Sequence, residues 1–394
     1  MFKSICIIPN KRTFPTDIGF IAETLLYYER VNLIIAADSI QTLLENCEFS
    51  DLKELVDRGS LKLYMRNNHF ATVLRQQPNG KVTYDIANYV FSNIPMEEIV
   101  FQTIFKYTNK RRGYSNRLTN KFLEIIEPIE YENGLREKVF EDLDDYEYVK
   151  SALEIIINSY NPNFQINKNL LDYKKEMGHD GWLNFTTNID FDNFNKVLPK
   201  GVKLDESHII NQIQNARADL HFSANLNSEL ATSSIQEQLV NIKFSNIFSK
   251  SKKSKDELMN FNKFILNDSF AIREAINSKE KSFSDFISIL HKASKYKDWL
   301  SKVEEDKNLI KEYHKAVTQN TWIEKLPAKC VRWSIFTGLG VLIDSIGGGS
   351  LGTLMGLGLS VGDAFLLDHI LKGWKPNIFI KNELKNFTQQ ILST

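Results

Sequence analysis

The hydrophobic period of the chain changes from segment to segment over its first hundred residues. A short apolar run at residues 5–8 gives way to helical spacing at 18–28, then to VNLIIAA at 31–37, a continuous buried-strand run. Short continuous apolar runs bounded by polar segments predict strands buried on both faces, the mark of a parallel sheet. Asp38 and Ser39 supply N-caps for a helix through residue 44, and Asp51 caps another that stops at Gly59. LKLYM at 61–65 predicts a third strand. After it, HFATVLRQ, the turn Pro78-Asn79-Gly80 and KVTYDIA predict a β-hairpin, because Asn-Gly supplies the positive φ angles of a tight turn.

The pattern then loosens. Residues 160–205 are rich in Asn, Asp, Lys and Phe without clean periodicity, which predicts a loop-rich connection or a small irregular subdomain. Helical spacing returns near His208 and continues to the end. Capping boxes are spelled by Ser254 with Glu257 and by Ser282 with Asp285. The second opens a helix on which Phe283, Phe286, Ile287, Leu290, Ala293, Tyr296 and Leu300 share one stripe, a core-packing face. A further helix is expected at about residues 306–318, and Pro327 breaks the chain before its most unusual part.

That part is 331–374, where large apolar residues are interspersed with glycine. Gly348, Gly352 and Gly356, and again Gly358 and Gly362, recur at four-residue spacing, which places them on one helix face where another backbone approaches closely. Between Asp344 and Asp363 lie 18 uncharged residues, seven of them glycine. Basic residues and Trp322, Trp333 and Trp374 flank the stretch as they do at membrane interfaces. Its interior is broken by Asp344 and the triplet at 347–349, and Asp363 and Asp368 charge its second half. A carboxylate at a bilayer centre costs about 2.5 to 3.5 kcal/mol even on the lenient insertion scale. The spacing therefore predicts a helical hairpin over 328–371 that packs against its own domain or another subunit, or is stored packed and released into a membrane.

The architecture expected is α+β and multidomain. An N-terminal α/β domain over 1–120 is followed by an acidic, loop-rich connection over 121–205. A mostly helical C-terminal domain over 206–394 ends in the Gly-rich apolar hairpin and a docking tail at 372–394.

Composition narrows the partners. Hydrophobic residues make up 42% and charged residues 25%, as in soluble globular proteins. Lys and Arg number 49, as do Asp and Glu, so no global field draws the chain to nucleic acid or an anionic membrane, and such a partner must be met locally. Cys6, Cys47 and Cys330 form neither a metal-ligand spacing nor a redox pair, and the N-terminus lacks the h-region of a signal peptide. A cytoplasmic microbial protein is expected, peripheral at the inner membrane if the hairpin meets lipid.

The local exception is residues 106–121. Lys106, Lys110, Arg111, Arg112, Arg117 and Lys121 occur there without an acidic residue, with Tyr107 and Tyr114 between them. They read as a solvated face or as partners of the acidic stretch 124–147, or else as a phosphate or nucleic-acid patch with stacking tyrosines.

Phosphate-loop, serine-hydrolase, zincin and EF-hand motifs are absent, and no metal site or cofactor is expected. Asp38 follows the VNLIIAA strand, where open α/β sheets place ligand-binding residues, and equally suits a helix cap. The leading expectation is a non-enzymatic effector whose hairpin supports self-association with itself or a partner protein, and conditional membrane insertion. Bacterial antiviral defence suits such an effector, and no residue demonstrates it. The alternatives are an enzyme or small-ligand sensor in the α/β domain, and nucleic-acid binding through 106–121.

Overall fold

The computed structural model describes residues 2–10, 14–66, 69–89, 94–109, 111–131, 133–161, 166, 168–250, 263–264, 273, 276–279, 281–292, 335–336 and 378–380. The expected hairpin over 328–371, with Gly348, Gly352, Gly356, Gly358 and Gly362, lies outside them, except for Ile335–Phe336.

Six parallel strands form the main sheet. β1 (Phe2–Ile7), β2 (Tyr28–Ile35), β3 (Leu61–Arg66) and β6 (Ile126–Ile129) run outward in sequence order on one side. β9 (Glu229–Thr232) and β12 (Ile378–Ile380) extend the sheet from the other edge of β1. The order β12-β9-β1-β2-β3-β6 thus reverses direction between β1 and β9, with Ile5, Cys6 and Ile7 in register with Glu229, Leu230 and Ala231.

The period-two alternation of these strands serves two apolar layers. Ile5, Ile7, Val31, Leu33, Ile35, Leu61, Leu63 and Met65 pack under α1 (Ile18–Tyr27), α2 (Ala37–Asn46), α3 (Phe49–Asp57), α4 (Met96–Tyr107) and α5 (Arg112–Leu123). Cys6, Ile8, Ile34, Tyr64 and Leu230 face α6 (Leu135–Asp144), α7 (Tyr146–Tyr160), α9 (Glu206–Asn225) and α10 (Ser234–Lys250). Both faces being covered explains why β2 is buried without a break from Val31 on, its Asn32 donating to Ser228 Oγ at 2.7 Å.

The predicted hairpin is present as β4 (His69–Gln76) and β5 (Val82–Tyr89), closed by Gly80 at φ 82°. It joins β7 (Tyr173–Met177) and β8 (Leu183–Thr187) in a second, antiparallel sheet, and α8 (Phe191–Lys196) follows. Residues 160–205, expected to be irregular, therefore carry regular structure. β7 reads YKKEM and is solvated along most of its length, so it has no apolar alternation to reveal it. The parallel sheet also crosses both expected domain boundaries, since β6 and β9 lie beyond residues 120 and 206 respectively.

Two caps differ in detail from expectation. α2 starts at Ala37, with Ala36 in the N-cap position, and Ser39 Oγ accepts from the Ala36 amide at 3.2 Å rather than capping as the preceding residue. Asp51 sits inside the first turn of α3 rather than before it. The box at Ser282 forms as expected: Asp285 N donates to Ser282 Oγ at 3.1 Å and Ser282 N donates to Asp285 Oδ2 at 2.9 Å. It opens α11 (Phe283–Lys292), whose Phe283, Phe286, Ile287 and Leu290 join the core beneath α1 and α3.

β10 (Lys263–Phe264) pairs antiparallel with β11 (Ile335–Phe336). Among the described residues, no helix is long and apolar enough to cross a membrane.

Candidate functional site at the carboxyl edge of the parallel sheet

In open α/β sheets the strand ends nearest the reversal point form a crevice, because the loops above them diverge to opposite faces. Here that place is the carboxyl edge of β1 and β9. Ile8 N donates to Ala231 O at 3.1 Å and carries their pairing to the rim, where Asn10 and Phe14 close a short loop by exchanging backbone hydrogen bonds of 2.7 and 3.0 Å.

Several polar side chains converge near this rim on the α9 face. Arg66 ends β3 and, by alternation with the buried Tyr64, lies on that face. Its Nη1 donates to the Tyr131 hydroxyl at 2.8 Å, and it forms no ion pair among the described residues. Burial works against its charge, and Tyr131, Asp219 and Asp38 more than offset burial, so its hold on the proton rises. Tyr131 follows β6 and is fixed between Phe70 and Phe222, with ring centroids 5.3 and 4.8 Å away.

Asp219 comes up from α9 beneath the strand ends. The Thr232 hydroxyl, last in β9, donates to its Oδ2 at 2.5 Å. Burial pushes the Asp219 carboxyl up to about 7, against the pull of Thr232 and Arg66. Burial, with the Asp219 carboxyl as a lesser cause, drives the Cys6 thiol well above its ordinary value, so Cys6 is an inert core residue.

Ser233 follows Thr232 and begins α10. Its carbonyl accepts from Glu237 N at 2.9 Å, which makes it the N-cap, yet its buried hydroxyl has no hydrogen-bond partner. Ser39 at the head of α2 is also buried and accepts from the Thr16 hydroxyl at 3.0 Å.

Sequence reasoning singled out one member of this group, Asp38. It lies half-buried in the first turn of α2 and within electrostatic reach of Arg66. Arg66, Tyr131, Asp219 and the adjacent pair Thr232 and Ser233 come from four separate segments, and their juxtaposition has no local sequence signature. The only available signal was Arg66, a charge closing an apolar strand.

The basic stretch lies elsewhere. Lys106 ends α4, Arg111 precedes α5, and Arg112, Arg117 and Lys121 lie along α5, all exposed; Lys110 is outside the described residues. Tyr114 is exposed, while the Tyr107 hydroxyl donates to Leu44 O at 3.0 Å. The acidic helix α6 packs on the opposite face of the sheet from α5. Its Asp142 is instead buried between three helices, where Arg217 Nε donates at 2.6 Å and Lys243 Nζ lies at 2.8 Å. These cations hold the Asp142 carboxyl below its ordinary range although burial alone would raise it.

A third group closes the head of α1. Asp17 caps α1 by accepting from Phe20 N at 2.9 Å, and Arg273 and Asn277 donate to the same carboxylate at 2.6 and 2.9 Å. Among the described residues, no cluster of His, Cys, Asp and Glu is arranged to hold a metal ion.

The fold and edge geometry define an open parallel α/β unit. Comparison of the chain with known protein families, with curated proteins and with solved structures finds no match.

Proposed function

We propose that the α/β unit is a sensor for a small ligand, bound at the carboxyl edge beside the reversal between β1 and β9, and that the C-terminal third is its output. The observation that carries this reading is the group formed by the half-buried Arg66 with the buried Tyr131, Asp219 and Thr232, polar chemistry brought together from separate segments at the rim of the sheet. Ion pairs elsewhere in the protein, such as Asp142 with Arg217 and Lys243, join opposite charges inside a helix layer. Arg66 instead spends one of its five donors on a neutral hydroxyl, an arrangement suited to receiving a further acceptor.

The output would be the Gly-rich hairpin, acting by self-association or by conditional insertion into a membrane, at the inner face of which the protein would then lie. Its motivation is the sequence: Gly348, Gly352 and Gly356 share a face, and Asp344, Asp363 and Asp368 disfavour permanent residence in lipid. The link to the sensor is the chain itself, since α11 packs on the α/β core before the hairpin and β12 returns to pair with β9 after it.

Thermal unfolding in the presence of a panel of nucleotides, sugar phosphates, amino acids, organic acids and nucleosides tests the sensor. A ligand at 100 times its Kd raises stability by about 2.7 kcal/mol. The expected result is stabilisation by one class, lost in Arg66→Met. A panel with no effect on the folded protein, or an effect unchanged by Arg66→Met, would overturn it.

A further inference from the structure

We infer that the carboxyl edge over β2 and β3 takes a small zwitterion of the free amino-acid class, its carboxylate held by Arg66 and its ammonium group by Asp38. This assignment rests on the sensor reading and adds the chemistry of the ligand.

The sheet itself brings the two side chains together. β2 and β3 are parallel neighbours, with Ile35 in register with Met65. The next residues, Ala36 and Arg66, therefore leave the sheet side by side, about 4.8 Å apart. Asp38 follows two residues later, in the first turn of α2. It lies close enough to strengthen the hold of Arg66 on its proton, yet the two form no ion pair. Opposite charges that are neighbours without touching leave room for a ligand that carries both.

Both groups are held by contacts that leave their charged atoms unused. Arg66 Nη1 donates to the Tyr131 hydroxyl at 2.8 Å, and that ring is fixed between Phe70 and Phe222. Arg66 Nε and Nη2, the parallel pair of donors that a carboxylate accepts, make no hydrogen bond among the described residues. The turn carrying Asp38 is pinned by Ser39, whose Oγ accepts from Ala36 N at 3.2 Å and from the Thr16 hydroxyl at 3.0 Å. The Asp38 carbonyl accepts from the Thr42 hydroxyl at 3.1 Å, while the carboxylate of this half-buried residue has no hydrogen bond among the described residues. Groups fixed in this way lose little freedom when a ligand enters.

Charge excludes the simpler ligands. Arg66 feels Asp38 from α2 and Asp219 from α9. A phosphate dianion at Arg66 would meet both carboxylates, and a bare amine at Asp38 would meet the guanidinium. A monocarboxylate satisfies Arg66 and leaves Asp38 without a partner. A zwitterion gives each charge its opposite and brings no net charge to the edge. Asp219, pushed up to about 7 by burial, is partly protonated near neutrality, so it cancels only part of the Arg66 charge that a carboxylate would meet. At the head of α1 no such opening exists, since Asp17 is already tied to Arg273 and Asn277.

Calorimetric titration of the full chain with the standard amino acids, and with the N-acetyl and carboxamide derivatives of any that binds, tests the assignment. The expected result is binding of an amino acid that weakens about tenfold or more when either end is blocked, and by the same order in Arg66→Met. Asp38→Asn, a near-isosteric change on a half-buried turn, should weaken the free amino acid by that order without weakening its N-acetyl derivative. Equal binding by wild type and both variants would overturn the site. Blocked derivatives that bind as tightly as the free amino acid would overturn the zwitterion. If no amino acid binds folded wild type, the ligand class falls; the sensor reading then stands if another compound stabilises the protein through Arg66, and falls with it if none does.

Discussion

At position 219 a carboxyl is held among Cys6, Thr232 and Arg66, where burial lifts it from an ordinary 3.8 to about 7. Between those values the folded chain keeps a proton that the unfolded chain has released. The stability this group contributes is therefore complete below pH 4 and is lost as the pH rises through about 7. At 1.36 kcal/mol per pKa unit, the full change is on the order of 4 kcal/mol. Asp219→Asn keeps the shape and removes the titration. Urea unfolding of both proteins at pH 4 and pH 8 should show the variant gaining on wild type by that order at the higher pH; parallel curves would contradict it. Asp142 behaves oppositely, since its carboxyl is lowered by Arg217 and Lys243. Asp142→Ala strands two buried cations, and denaturant unfolding should register a loss of about 3 to 5 kcal/mol. Neither residue was legible in the sequence, because burial of a lone Asp depends on which helices close over it. Asp142 even sits inside a run of acids that reads as solvent-facing.

Among the elements, legibility followed periodicity. β1, β2, β3, the β4–β5 hairpin and the stripe of α11 all announced themselves, because each repeats one burial pattern over several residues. β6 and β9 did not. Each is four residues long, β6 contains Pro128, and β9 is read as part of the helical sequence around it. Since β9 forms one wall of the reversal point, missing it concealed the site. The same scale holds the joint between the α/β unit and the C-terminal chain. A Cβ added at Gly19 would lie 2.5 Å from Arg273 O, so only glycine lets this backbone pass so close to α1. Gly19→Val and Arg273→Ala should both release this crossing. Hydrogen exchange in α11 is expected to quicken several-fold in each variant while β1 to β3 stay protected; unchanged α11 protection would contradict this role for the crossing.

For the whole molecule, the sequence reading separated an α/β head from a helical tail, whereas the sheet gathers strands from residue 2 to residue 380. The tail's last described strand, β12, lies against β9, whose final residue binds Asp219. That continuity is the physical basis for proposing that events at the edge reach the C-terminal third. Dye release from anionic and neutral liposomes should occur with wild type under activating conditions and fail with Gly352→Leu and with a chain ending before Trp333. Leakage that survives both changes would remove the hairpin from the output.

The most direct test of the central claim is to locate the bound ligand by hydrogen exchange with mass spectrometry, using whichever compound of the panel stabilises the protein. The account predicts slowed exchange at the carboxyl edge of the sheet, around Arg66, Tyr131 and Thr232, with the amino ends of the strands unaffected. Protection confined to the exposed basic helix α5, or absent from the carboxyl edge altogether, would contradict it.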